Sequence, residues 1–577
     1  MHAGVTHPAL RLVLLGALGL PFSGGAAVAE ELPSPAGESA ALEMAGEEGA
    51  VLPTDAPTGG PPVYAPAPLP DAIDLKGERP RPNPRLVPPA ATELGPGLDD
   101  LPAPDSLALP TRPEQVQIRA LRPLTLTQVE NLVEVNNPTL KAIASQVDQA
   151  QSNLRAQMAQ RYPTIDLNAG ALPVFSASRT RTEFAGAPNR TSSEERWRAA
   201  ASLLAQWALI DPTRDPSIAA ARDQFESAQY QYIIALRDLR LQASQAYFRL
   251  QLADDQVRIG QESVRASLVS LRDTRARFQA GVATRLDVLE AETQLARDQQ
   301  LLTNGLAAQS INRRALAQLL DLPQDVTPTA ADPPRVLGMW QPSLQESIVA
   351  AYAFREELDQ TLLDISIANS QADAALGQVQ PFLNVFAGLD TAWTDFFGTN
   401  DNQVKATGNI DASVGLNFNW RLFDGGRAAA EARGSRQRAE ESSFRFAERR
   451  DAIRQEVEES FYELERNNRN SATTARQVIQ SRESLRLARL RLQAGVTTQR
   501  EVVDQQRDLT QAEVLYSNAI TDYNIRLAEL RRRTGLDVIV TCPVRSLPAE
   551  KPPLDTDIPV EPAPLLPACQ AADPALL

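Results

Sequence analysis

The residue types that most often carry catalysis are scarce in this chain. Its only histidines are His2 and His7, and its only cysteines are Cys542 and Cys569. Both histidines lie in a leader that we expect to be removed, which excludes a Ser-His-Asp or Cys-His arrangement and a histidine-bearing metal site in the mature protein. Carboxylates remain, but no two of them show a recognisable catalytic spacing. The sequence therefore predicts neither an enzyme nor a cofactor or metal site.

The first 29 residues have the features of a secretory signal peptide. A single basic residue, Arg11, precedes an apolar run from Leu12 to Leu20, and the small residues Ala27-Val28-Ala29 stand just before Glu30. This pattern is typical of a cleaved leader and is too short to span a bilayer. In an oxidising compartment Cys542 and Cys569 could form a disulfide or remain two free thiols, and the sequence leaves both possibilities open.

Charge and hydrophobicity limit the possible partners. The net charge of −15 argues against nucleic-acid binding, which needs clustered basic charge. Outside the leader no run of about 18 apolar residues occurs, so a membrane-crossing part would have to consist of strands. Residues 30–115 and 542–577 are rich in proline, and we expect a disordered linker and an extended tail there.

The region between these two segments contains an internal repeat. Arg277-Phe-Gln-Ala-Gly-Val-Ala-Thr recurs as Arg491-Leu-Gln-Ala-Gly-Val-Thr-Thr, and Trp207-Ala-Leu-Ile-Asp recurs as Trp420-Arg-Leu-Phe-Asp. Since repeated landmarks in the same order indicate duplicated units, we predict two repeats, residues 116–330 and residues 331–541. Each repeat begins with a helical stretch, Leu124 to Arg161 and Leu344 to Val379, followed by two strands and a long helical hairpin.

The strand pattern is clearest near the end of the second repeat. Polar and glycine residues alternate there with five apolar ones, Val414, Leu416, Phe418, Trp420 and Leu422. A period of two predicts a strand with one apolar face. That face could contact lipid, or it could be half-buried in a soluble sandwich, and the strand alone does not decide between them.

The helical hairpins are unusually long. Residues 217–279 and 430–494 contain no proline, and in the first of them apolar residues recur at alternating spacings of three and four, as in a coiled-coil seam. At ~1.5 Å per residue these helices would each be roughly 95–100 Å long. Gly281 and Gly495 are expected to end them, and Thr284 and Thr498 to cap the returning helices, Arg285 to Leu320 and Gln499 to Arg533.

Four strands and four long helices per chain require an oligomer if the strands lie in lipid. A sheet in a bilayer cannot leave an edge unpaired, and four strands are too few to close a barrel. We therefore expect several chains to contribute strands to one barrel and helices to one tube.

At this point the motifs resemble those of the TolC-type outer-membrane efflux proteins. The resemblance rests on Asn137-Pro138-Thr-Leu, on Trp420-Arg-Leu-Phe-Asp-Gly-Gly-Arg and on the two Gln-Ala-Gly-Val-x-Thr turns, and it covers Leu124 to Asp537. It implies a mixed all-α plus transmembrane β fold: a homotrimer whose 12-stranded β-barrel, four strands per chain, continues as a long α-helical coiled-coil barrel through the periplasm. It also implies an inner-membrane ABC or RND-type pump and a periplasmic adaptor (membrane fusion) protein as partners.

The resemblance further assigns roles to individual residues. The tips where adaptor helices dock would be the turns at Gly281, Val282 and Thr284 and at Gly495, Val496 and Thr498. Three acidic residues would ring the periplasmic aperture: Glu501, Asp504 and Asp287.

Two simpler interpretations stay open: the turns could serve only to reverse the chain, and the acidic residues could form a solvated helix face. Asp287 also lacks its usual latch partners, because Thr497 and Leu492 stand at the matching positions.

The predicted function is that of a passive exit channel in the bacterial outer membrane, within a tripartite efflux or type I secretion system. It would carry small molecules or polypeptides. The alternative from another class is a secreted coiled-coil structural or adaptor protein, whose strands would pack in a soluble sandwich.

Overall fold

The structure is a computed structural model, and it describes residues 90–184, 186–397, 406–536, 539–541 and 560. In these ranges the same order of two short helices, two long strands and two long helices occurs twice. The helices are Leu126–Asn136 (α1), Pro138–Ala159 (α2), Arg214–Gln279 (α3), Arg285–Leu319 (α4), Leu344–Phe354 (α5), Glu356–Gly377 (α6), Arg427–Gln493 (α7) and Gln499–Thr534 (α8).

The strands of the described residues form one large sheet and two small ones. The large sheet has the order β2-β3-β6-β7 and is antiparallel throughout; β1 pairs with β4 in parallel, and β5 pairs with β8 antiparallel. The strands are Ala120–Leu124 (β1), Thr164–Phe184 (β2), Ala187–Ile210 (β3), Val326–Ala330 (β4), Gly338–Trp340 (β5), Phe382–Phe397 (β6), Ala406–Asn419 (β7) and Ile539–Thr541 (β8).

Each helical stretch that precedes a strand pair is divided in two, where the sequence predicts one continuous helix. Asn137 separates α1 from α2, since the residue before a proline is biased away from helical geometry. Its side-chain oxygen accepts hydrogen bonds from the backbone N–H groups of Thr139 and Leu140, and its amide nitrogen donates to the carbonyl of Leu319. The Asn-Pro motif therefore begins α2 and fastens it to the end of α4.

The long helices α3 and α7 contain 66 and 67 residues, which corresponds to about 100 Å each. Each packs against the helix that follows it. In the first hairpin the helices approach closely at Gly260, where an added Cβ would lie 3.0 Å from the Cα of Leu302. Small residues on the seam allow this approach, as the apolar pattern predicts. None of the helices in the described ranges has both the length and the hydrophobicity needed to cross a membrane.

The largest apolar core lies where α1, α3 and α4 meet, around the fully buried side chains of Leu132, Tyr247 and Phe248. Leu98 and Leu101 also belong to it and are only 1% and 2% exposed. Around these two leucines the structure thus differs from the expectation that residues 30–115 form a disordered linker. Leu98 and Leu101 pack into the apolar core although they stand in a proline-rich stretch. Burial of each leucine stabilises the packed segment by roughly 1.5–3 kcal/mol.

Hydrogen bonds hold the same segment on α1. The backbone N–H of Gly95 donates to Asn131 Oδ1 at 2.8 Å, and the side chain of Asn136 donates to the carbonyl of Leu101 at 2.9 Å. The backbone of residues 91–101 is therefore fixed on the helical body. Residues 30–89 lie outside the described residues.

A buried ion-pair network joins α3, α6, α7 and α8 at the break between α5 and α6. Glu357 Oε1 lies 2.9 Å from Arg355 Nη2 and 2.8 Å from Arg532 Nη2, and these three side chains are less than a tenth exposed. Arg532 also pairs with Asp238 on α3 at 2.6 Å, and Arg355 with Glu456 on α7 at 2.6 Å. Burial alone raises the pKa of Glu357, but the two guanidinium groups outweigh it and hold that pKa well below its usual range.

Candidate functional site

The two faces of the four-stranded sheet differ in polarity, as the rows of paired residues show. Because directly paired residues in an antiparallel sheet point to the same side, each row across the strands belongs to one face. One row consists of Ile165, Ala205, Ala387 and Val414, and another of Leu167, Leu203, Leu389 and Ala412. Every member of these two rows is apolar.

The rows on the opposite face have a different composition. Asn168, Ser202, Asp390 and Asp411 form a row that is polar on all four strands. A neighbouring row on this face combines Asp166, Leu204, Gly388 and Ser413. The two faces of the sheet therefore present different environments, one apolar and one mainly polar.

Nothing within the described chain covers the apolar face. Val414 is 82% exposed, Leu167 74% and Leu416 66%, and Phe418 is also exposed. Contiguous exposed apolar surface of this kind marks contact with a membrane or another protein. The interior of a soluble sandwich would bury these side chains, and they are not buried here.

The strand that carries this pattern is shorter than predicted. β7 ends at Asn419, so Trp420 and Leu422 lie in the joint that leads to α7 and not on the strand itself. The indole N–H of Trp420 donates to the carbonyl of Val379 at 3.2 Å, and that of Trp207 donates to the carbonyl of Arg161 at 3.0 Å. The repeated tryptophans thus tie the end of one strand to the chain that leads into the preceding strand.

The two turns at the far end of the hairpins have the same backbone. Gly281 and Gly495 adopt φ values of +76° and +72°, a left-handed conformation that a glycine reaches without steric cost. Val282 donates its N–H to the carbonyl of Arg277 at 3.0 Å, and Val496 donates to that of Arg491 at 2.9 Å. This is the six-to-one bond of a Schellman motif, which satisfies the last carbonyls of a helix. Both valine side chains are largely exposed.

The returning helices begin differently from each other. Thr284 caps α4: its hydroxyl oxygen accepts from the N–H of Asp287, and Asp287 Oδ2 accepts from the N–H of Thr284 at 2.7 Å. The structure does not support the same expectation for Thr498, whose hydroxyl makes no capping bond within the described part of the chain. At the position of Asp287 stands Glu501, whose carboxylate contacts Thr497 and Arg491 and does not complete a capping box with Thr498.

This difference predicts unequal effects of two matched substitutions. Thr284→Ala should destabilise the first turn of α4 by about 1 kcal/mol, because an N-cap bond is lost, whereas Thr498→Ala should cost only a few tenths. Hydrogen exchange followed by mass spectrometry should show amides at the start of α4 exchanging about five-fold faster, and those of α8 nearly unchanged. Equal acceleration in both helices would contradict the assigned caps.

The predicted aperture residues all have partners in this structure. Glu501 Oε1 lies 2.7 Å from Arg491 Nη1, and Asp504 lies 3.3 Å from Arg507 Nη1 and 3.9 Å from Arg500 Nε. Asp287 is held in the cap of α4, so its carboxylate is occupied locally. Glu501 and Asp504 are on α8, whereas Asp287 is on the first hairpin. The possible disulfide between Cys542 and Cys569 lies outside the described residues.

Sequence reasoning missed the arginines around these carboxylates and the buried network at Glu357. The arginines could have been noticed as alternating charge at helical spacing, but an ordinary solvated helix face has the same pattern. The buried network could not be predicted from the sequence, because buried and exposed ion pairs consist of the same residue types.

Comparison with known proteins gives a consistent answer. The sequence profile of the family described as Outer membrane efflux protein matches residues 130–321 and 348–536. Outer membrane protein TolC of Vibrio cholerae is 22% identical over 430 residues, which covers 71% of this chain and 90% of that protein.

Two solved structures show the same fold. The outer-membrane channel OprN has a TM-score of 0.58 at 18% identity and covers 78% of this chain and 98% of that one. The outer membrane protein VceC of Vibrio cholerae has a TM-score of 0.57 at 17% identity and covers 71% and 96%. Together with the profile match over both halves, these similarities show that the chain is a member of the outer membrane efflux protein family.

Proposed function

We propose that this chain is the outer-membrane exit channel of a tripartite efflux or type I secretion system. It is a passive conduit through which an inner-membrane pump delivers small molecules or polypeptides to the outside. The observation that carries this proposal is the sheet with one exposed, largely apolar face and one more polar face. In an outer membrane protein the apolar face contacts lipid and the polar face lines water.

A homotrimer is the assembly that we propose. Within the described residues, β2 and β7 are the edges of the large sheet, and each pairs on one side only. Unpaired backbone groups are costly in lipid, so these edges must pair with neighbouring chains. Since small outer-membrane barrels begin at about eight strands, three chains with four strands each suffice for a closed barrel of twelve. Membership of the outer membrane efflux protein family supports this assembly.

The two helical hairpins of each chain form the periplasmic part in this proposal. Their turns, at Gly281, Val282 and Thr284 and at Gly495, Val496 and Thr498, are the surface that the adaptor contacts. The support is that Val282 and Val496 are 75% and 69% exposed. Apolar side chains held outward on rigid turns suit contact with a partner.

We place the aperture at the start of α8, around Glu501 and Asp504, with Asp287 on the neighbouring hairpin. Side chains on the first two turns of a helix next to a tight reversal project near the end of a helical tube. Acidic groups at a constriction would influence which ions pass.

The two halves of the chain are proposed to be repeats, residues 116–330 and 331–541. Support comes from the small sheets, because β1 pairs with β4 inside the first range and β5 pairs with β8 inside the second. In each range, therefore, a strand near the beginning pairs with a strand near the end.

Single-channel recording in a planar bilayer tests the proposal. Protein extracted from the outer-membrane fraction in detergent should migrate as a trimer and produce discrete conductance steps. The alternative, a secreted coiled-coil structural or adaptor protein, predicts a soluble periplasmic protein that forms no pores. Recovery of the protein in the soluble fraction, with no conductance from purified material, would reject the channel.

A further inference from the structure

Three arginines surround the acidic residues at the start of α8. Arg491 contacts Glu501, Arg500 and Arg507 contact Asp504, and Arg507 also contacts Asp508 at 3.4 Å. The cluster therefore holds three guanidinium groups and three carboxylates, all within salt-bridge distance of a partner. Its formal charges balance.

The arginines lie close enough to the carboxylates to compensate their charge. Each guanidinium lies within 4 Å of the oxygen that it neutralises, whereas the Debye length at physiological salt is about 8 Å. An ion that approaches from farther than a few ångströms therefore meets the sum of the charges and not the carboxylates alone.

Arg500 and Arg491 are more exposed than the carboxylates they contact, and Arg507 is as exposed as Asp508. The side chain of Arg500 is 73% exposed and that of Asp504 40%. Arg491 is 55% exposed and its partner Glu501 32%. Surface pairs of this kind contribute little to stability, but both charges act on a passing ion whether or not the pair is strong.

We propose that Arg500 and Arg507 set the ion selectivity of the periplasmic aperture by compensating Asp504 and Asp508. On the neighbouring hairpin, Asp287 and Arg285 at the start of α4 add one charge of each sign. The aperture of this chain is then close to neutral and discriminates weakly between cations and anions, where the carboxylates alone would attract cations. The inference rests on the proposed function, since it places the start of α8 at the constriction.

Reversal potentials in a salt gradient test this inference. The wild-type channel should have a potassium-to-chloride permeability ratio of about one, and Arg500→Gln with Arg507→Gln should raise it several-fold. Asp504→Asn with Asp508→Asn should lower it below the wild-type value. Arg500→Lys with Arg507→Lys keeps the charge and should leave the ratio unchanged.

Arg445→Gln is the matched control. Arg445 is an exposed arginine on α7 that pairs with Glu441 at 2.6 Å. It lies about 50 residues before the turn at Gly495, so its removal should not change the ratio. The inference would be overturned if the wild-type channel were strongly cation-selective and the double variant Arg500→Gln, Arg507→Gln had the same potassium-to-chloride permeability ratio. That result would leave the channel function intact. Absence of pores in the wild type would reject the proposed function and the inference with it.

Discussion

We expect Leu416→Arg to abolish insertion into the outer membrane and Asn417→Arg to be tolerated. The two residues are adjacent on β7 but lie on opposite faces of the sheet. Leu416 pairs with Val385 on the apolar face, and Asn417 pairs with Asn384 on the other. An arginine facing lipid costs roughly 2–4 kcal/mol near the bilayer midplane, and in the proposed trimer that cost would be incurred by each copy.

The comparison is sharp because charge, size and position along the strand are matched. Each variant would be fractionated and its trimer assayed by heat-dependent migration in detergent gels. Leu416→Arg should leave little assembled trimer, and Asn417→Arg should assemble near the wild-type level. Equal assembly of the two variants would show that the apolar face does not contact lipid.

The second large effect concerns the buried network at the break between α5 and α6. Glu357→Gln should lower the free energy of unfolding by about 3–5 kcal/mol, because Arg355 and Arg532 would remain buried without their shared carboxylate. The control is Glu458→Gln, which breaks the more exposed pair between Glu458 and Arg454 on α7 and should cost at most about 1 kcal/mol. Unfolding in detergent, followed by circular dichroism, measures both.

The pH dependence of this difference has a definite sign. The folded-state pKa of Glu357 is depressed below its ordinary value of 4.5. A depressed pKa contributes stability above the unfolded-state value, and that stability is lost as pH falls toward the folded-state value. The stability difference between wild type and Glu357→Gln should therefore be largest near neutral pH, and it should shrink progressively as the pH falls from about 4.5 toward the folded-state pKa. A difference that does not change with pH would mean that the charge of Glu357 is not what stabilises the fold.

Much of the fold could be predicted because clear sequence signals mark where its elements begin and end. Glycine at the turns placed the ends of the long helices within a few residues of their observed bounds. Proline marked the end of the first helical stretch, and alternation of apolar and polar residues marked the strands. The duplicated turn and Trp420-Arg-Leu-Phe-Asp carry the resemblance to the family, and the profile match confirms that family.

The rest depended on contacts distant in sequence. Leu98 and Leu101 stand in a proline-rich stretch, and only the core around Tyr247 explains why they are buried. Arg355 interrupts a helical pattern without glycine or proline, so nothing local predicts the break. Thr284 and Thr498 are the same residue type at matching positions, so the sequence does not show that only Thr284 makes the capping bond.

The order of strands in the large sheet has a consequence for the time course of folding. β3 pairs with β6, and this pairing joins the first half of the chain to the second across almost 200 residues. The entropic cost of closing a loop rises with the number of residues in it, so this pairing carries a large closure cost. Contacts of such long range form slowly, whereas the helical hairpins need only neighbouring residues. We therefore expect a newly exported chain to acquire its hairpins first. The sheet would form last, after both halves of the chain have been exported and the apolar face can contact a membrane.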